Sequence, residues 1–152
     1  MEFKDKSLSF NKPHVMGILN VTPNSFSDGG LFADTEAAVA QARMMLEAGA
    51  TIIDVGGEST KPGADPVDEV TEIARVVPVI QAIVKEYDCI VSIDTSKPLV
   101  MKEAVHAGAS MINDVCALSV EGALATAASL QVPVCLMHMQ GTPRSMQEAP
   151  SY

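Results

Sequence analysis

Apolar residues along this chain fall into two alternating kinds of segment. Short runs rich in β-branched, Leu and Met residues occupy positions 15–19, 51–55, 90–93, 110–112 and 132–137. Runs of that length and content read as buried strands. Between them lie longer amphipathic segments. The clearest is 67–87, where Val70, Ile73, Val77, Ile80 and Val84 recur at spacings of three and four and predict one buried helical face, with Pro78 implying a kink or restart. Segment 35–48 has a candidate cap at Asp34 or Thr35 and Gly49 just past its end, while 98–107 begins with Pro98 and stops at Gly108, so start and stop signals frame both as helices. The first residues predict a short strand or hairpin.

An internal echo supports this alternation. Residues 48–54, AGATIID, resemble 107–113, AGASMIN, at an offset of 59, the length of two βα units of about 30 residues each. Repeated βα units predict a parallel sheet, either open and doubly wound or closed as a (β/α)₈ barrel. Asn20, Asp54, Asp94, Asn113 and His138 each stand at or just past the C-terminal end of a different predicted strand. Barrel enzymes collect their chemistry on that rim, and the GxGxxG fingerprint of a dinucleotide fold is absent, so the barrel is preferred. A barrel takes about 250 residues. The expectation is therefore an α/β chain with roughly five of eight βα units, an incomplete barrel, and with 1–152 belonging to one domain without an internal boundary.

Composition narrows the function classes. The 152 residues are 47% hydrophobic and 4% aromatic with no Trp, so the core must be aliphatic, as in parallel α/β sheets. A net charge of −9 without a Lys/Arg run argues against nucleic acid, and any anionic substrate must be held by local donors or a metal ion. Cys89, Cys116 and Cys135 fit neither a zinc nor a disulfide pattern and are expected as buried thiols. No apolar stretch approaches the ~20 residues needed to cross a bilayer, and the N-terminus carries charges where a signal peptide would be apolar; a cytoplasmic protein without membrane contact is expected.

Four polar segments follow the predicted strands in order: GILNVTPNSFSDGG at 17–30, IIDVGGESTKPG at 52–63, SIDTSKP at 92–98 and SMINDV at 110–115, with VCLMHMQGTP at 134–143 behind them. Singly each would read as a turn. As an ordered set they resemble dihydropteroate synthase. The resemblance implies a pterin-binding (β/α)₈ barrel that condenses 7,8-dihydropterin-6-ylmethyl diphosphate with p-aminobenzoate, releasing diphosphate with the help of Mg²⁺. It also implies the residues: Asp94 and Asn113 as the catalytic, pterin-contacting pair, with Thr60 also on the pterin diphosphate; Asn20 as the metal ligand; and Phe26, Asp28, Thr60, Lys61 and Pro62 on two loops enclosing p-aminobenzoate or the sulfonamides that mimic it. Full-length members are expected as homodimers.

The residue types suit that chemistry. A pterin edge sets N–H donors beside carbonyl and ring-nitrogen acceptors, which a carboxylate and a primary amide satisfy jointly. One side-chain oxygen suffices for a Mg²⁺ that bridges a diphosphate. For Asp94 and Asn113 the competing reading is helix capping or loop structure, with Asp114 the better structural partner of the two; His138 reads as a positioned rim residue, and His14 and His106 as structural or exposed. Asn24 and Lys61 depart from the Asp and Arg usual in the family. The family pattern continues with Asp-Pro-Gly-Phe-Gly, Ser-Arg-Lys and Arg-x-His segments beyond residue 152, so this chain alone is expected to be inactive. The alternatives are a methyltetrahydrofolate-type methyltransferase domain and a non-catalytic truncated fragment.

Overall fold

The computed structural model describes residues 1–22, 30–58, 66–142, 145–147 and 149–151, with side chains 30–33 left aside. A hairpin of β1 (Glu2–Phe3) and β2 (Lys6–Ser7) comes first. Then strands and helices alternate: β3 (Val15–Asn20), α1 (Gly30–Glu47), β4 (Ala50–Gly56), α2 (Glu69–Glu86), β5 (Ile90–Asp94), α3 (Pro98–Ala107), β6 (Met111–Asp114), α4 (Ala123–Leu130) and β7 (Val134–Leu136). Strands β3 to β7 pair in chain order and all in parallel. A doubly wound sheet would reverse its order at a switch point. This one never reverses, and it forms an α/β partial barrel.

The pleat sorts strand residues between two environments. Leu19, Ile53, Val55, Val91, Ile93 and Ile112 face outward and join one core with Val39, Val76, Val79, Ile80, Ile83, Val100, Met101 and Val105 of the helices. The inner face carries Ile52, Ile90 and Met111 at its N-terminal end, where Phe3 of the hairpin, 1% exposed, packs on them and closes the floor. Polar groups on that face are thereby confined to the other end.

Three expectations need correction. In α2 the buried stripe is Glu72, Val76, Val79, Ile80 and Ile83, whereas Val70 is 74% and Val84 37% exposed. The segment is apolar around most of its circumference, so periodicity allowed two stripes and packing chose the one a step away; Pro78 lies inside a continuous helix. Helix α1 begins at Gly30, which puts Asp34 and Thr35 inside it rather than at its cap. Among the thiols only Cys89 is buried; Cys116 is half-buried and Cys135 exposed, because β7 has no strand on its far side among the described residues.

The internal echo is structural. Gly49 and Gly108, equivalent in the two copies, end α1 and α3 with φ of +104° and +126°, a conformation that costs side-chain-bearing residues dearly. Each then leads into a strand.

Candidate active site

The site is built from one row across the open end of the sheet. Asn20 pairs in register with Gly56, Gly56 with Asp94, Asp94 with Asn113 and Asn113 with Cys135. Three polar side chains that lie far apart in sequence thus share the inner face at the C-terminal ends of adjacent strands. Glycine at the row's second position matters. A Cβ on Gly56 would stand 3.5 Å from the Asp94 Oδ2 atom and 3.6 Å from the Asn20 Oδ1 atom, so any larger side chain would fill the space between these groups.

Asp94 is partly exposed, and burial, together with the charges of Asp54, Glu72, Asp114 and Glu58, pushes its carboxyl up to about 7. Near neutral pH it can therefore both donate and accept. The competing role as a helix cap is not what it does: the N-cap of α3 is Lys97, and no side chain makes a capping bond there. Asn113 donates from Nδ2 to the Asp54 Oδ2 atom at 2.9 Å. Asp54 is 2% exposed, and burial raises its pKa against opposing contributions from the neighbouring Ser92 hydroxyl, which stands outside hydrogen-bonding geometry, and from the Asn113 bond.

Asp114, next to Asn113 but on the opposite face, is structural, as expected. Its Oδ1 accepts from the Ser96 hydroxyl at 2.5 Å and the Cys116 amide at 2.8 Å, and its Oδ2 from the Leu118 amide at 2.7 Å. Those bonds hold the turn after β6, where Ala117 and Leu118 take positive φ. A second polar cluster escaped the sequence reading: Lys97 bridges Glu58 and the fully buried Glu72, and Arg75 donates to the Gly57 carbonyl at 2.8 Å. Burial pulls Lys97 down, but its bonds to the two carboxylates outweigh that and raise it. Glu72 lies amid an apolar stripe, and only its polarity at a core position could have signalled a partner.

Asn20 offers one neutral amide oxygen, and no group of three or more His, Cys, Asp or Glu among the described residues is placed to hold an ion. That donor set does not suit a metal caged by protein; it suits Mg²⁺ whose remaining ligands are water and phosphate oxygens. Phe26, Asp28, Thr60, Lys61 and Pro62 lie outside the described residues. His138 is exposed just beyond β7. His14 is structural: its Nε2 meets the Ser9 carbonyl at 2.8 Å and its Nδ1 the Thr51 hydroxyl at 3.3 Å, while His106 is exposed.

Residues 16–152 match the pterin binding enzyme family. The chain belongs to that family. It is 57% identical over 146 residues to the dihydropteroate synthase of Escherichia coli K12, covering 96% of this chain and 52% of that protein, and 49% identical over 139 residues to that of Bacillus subtilis, covering 91% and 47%. Its fold matches a Yersinia pestis dihydropteroate synthase in complex with a sulfonamide drug at a TM-score of 0.90, with 52% identity over 100% of this chain and 55% of that one. The Xanthomonas albilineans enzyme in complex with 7,8-dihydropteroate matches at 0.78, with 50% identity over 88% of this chain and 48% of that one. The chain thus spans about half the length of the relatives it matches.

Proposed function

We propose that this chain forms the first part of the active-site rim of a dihydropteroate synthase, and that residues 1–152 belong to a single barrel domain. The observation that carries the reading is the row Asn20, Gly56, Asp94 and Asn113 on the open inner face. In this reading the Asp94 carboxylate accepts from the donor side of a pterin ring, and the Asn113 amide meets the adjacent acceptor and donor groups. Asn20 supplies the protein oxygen of a Mg²⁺ whose role when bound is to neutralise charge on the departing diphosphate. The arylamine nitrogen of p-aminobenzoate attacks the pterin methylene carbon, the C–O bond to diphosphate breaks with its electron pair, and the nitrogen gives up one proton. Catalysis then rests on orientation and on stabilising developing charge.

Thr60 is assigned to the pterin diphosphate, and Phe26, Asp28, Thr60, Lys61 and Pro62 to p-aminobenzoate and competing sulfonamides, by resemblance alone. A cytoplasmic location and a homodimeric full-length enzyme belong to the same proposal; no helix among the described residues is long and apolar enough to cross a membrane. The names of the relatives favour the synthase over a methyltransferase.

The test is formation of dihydropteroate from the pterin diphosphate and labelled p-aminobenzoate by the synthase of full family length. Asp94→Ala and Asn113→Ala are expected to raise KM for the pterin diphosphate about 10-fold or more, the loss of one or two hydrogen bonds to a buried ligand. KM for p-aminobenzoate should stay within about twofold. Asn20→Ala should raise the Mg²⁺ concentration needed for half-maximal rate. A wild-type enzyme that makes no product overturns the reading.

A further inference from the structure

Among the described residues, Asp54 is the one side chain of the inner face that is buried, ionisable and given no role above. It lies one row deeper than Asp94 and Asn113, in register with Ser92. Its Oδ2 takes the Asn113 Nδ2–H bond at 2.9 Å, while Oδ1 is buried without a hydrogen-bond partner. A carboxylate has no donor of its own, so Asn113 must turn its NH₂ end toward it. The amide is planar. With Nδ2 held from below, Oδ1 points away from Asp54, on a side chain that is itself only half-buried.

Resting on the synthase reading, we infer that Asp54 is a positioning residue: it fixes the Asn113 amide so that one acceptor and one remaining N–H donor face the pterin in a set order. An asparagine left to itself can present either end at similar energy, and the flipped amide would set its NH₂ against ring donors. The Asp54 carboxylate removes that choice before the ligand arrives, the kind of support that keeps a contact residue in its productive geometry. Leaving a carboxylate oxygen buried and unpaired costs stability, and a purely structural side chain at this place would more simply be apolar, like Ile52 one turn of the pleat below. Asp54 and Asn113 are also the equivalent residues of the two repeated βα segments, 59 positions apart, so the repeat places a contact residue and its support by the same local chemistry. Gly56, directly above Asp54 on β4, leaves the approach to the pair free.

The test is steady-state kinetics on the synthase of full family length, with substitutions at 54 made alone and on an Asn113→Ala background. Asp54→Ala is expected to raise KM for the pterin diphosphate about 10-fold and leave KM for p-aminobenzoate within about twofold. Asp54→Asn should restore most of the loss, because its amide oxygen can accept from Asn113 while its NH₂ faces the Ser92 hydroxyl, which also lacks a partner. On the Asn113→Ala background, Asp54→Ala should add less than about twofold, since two groups acting through one contact are not additive. The inference is overturned if Asp54→Ala leaves the pterin KM unchanged, or if it adds the same factor with and without Asn113. Should Asp54→Ala fail to fold, Asp54→Ser takes its place, being polar but too short to reach Asn113. A wild-type enzyme without product would sink the synthase reading instead; calorimetric binding of a pterin to wild type and to Asp54→Ala then decides the positioning role by the same criterion.

Discussion

Burial and four neighbouring carboxylates hold the Asp94 carboxyl near 7, and a group so placed must leave a trace in stability. Between pH about 4 and about 7 the native state keeps a proton that the unfolded chain releases, so stability falls as pH rises through that window, and the cost is complete above it. Asp94→Asn is expected to flatten the slope, leaving the part that buried Asp54, whose pKa is also raised, contributes. At pH 8 the variant should be more stable by about 2 kcal/mol, less than the full shift implies because water reaches the partly exposed carboxyl; at pH 4 the two proteins should match. Denaturant unfolding at both pH values reads this directly, and equal stabilities at pH 8 would mean that Asp94 ionises normally. Lys97 makes the opposite case. Buried Glu72 depends on it, so Lys97→Met should cost about 3–5 kcal/mol, with much of that recovered in the double variant Lys97→Met/Glu72→Gln. Asp94 could be placed on the rim from its position at a predicted strand end and was singled out there by the family resemblance; Glu72 could not be paired with Lys97, 25 residues on, because only the packing of α2 on the turn before α3 brings them together.

Helix boundaries were legible where chemistry marks them and not elsewhere. Pro98 and Gly108 frame α3 as expected, and the short α4 (Ala123–Leu130), with no side-chain cap and a run of small residues, gave no comparable signal. The two glycines that end α1 and α3 look alike in sequence yet differ in space. Around Gly49 nothing lies within 4 Å of an added Cβ, whereas at Gly108 a Cβ would come within 2.8 Å of a Val84 methyl. Gly49→Ala should therefore cost about 1 kcal/mol, for backbone strain alone. Gly108→Ala should cost roughly 2–4 kcal/mol, since strain and a clash with α2 add. Thermal or denaturant unfolding of the pair checks the order; equal losses would show that Val84 moves aside freely.

Taken whole, the sheet ends on both sides in strands without a further neighbour among the described residues: β3 and β7 each pair on one side only. Val15 and Ile18 on β3 are 60% and 62% exposed, and Leu136 on β7 is 52% exposed. Apolar edges of that kind recruit other chains. The 152-residue polypeptide by itself is expected to self-associate, with light scattering rising with concentration and falling when Ile18 and Leu136 are replaced by Lys. A monodisperse monomer would show that the edges are harmless.

Local chemistry was enough to set the alternation of strands and helices, the glycine stops, the repeat and the rim positions of Asn20, Asp94 and Asn113, because hydrophobic period and turn residues act over a few neighbours. It could not choose the buried face of α2, where two apolar stripes competed, nor foresee that Cys135 would be exposed. Nor could it tell that Asp54 lies beneath Asn113 and grips it. Those outcomes depend on the strand register and on helices packing across a sheet, and a contact between residues 59 apart exists only once the strands between them have aligned.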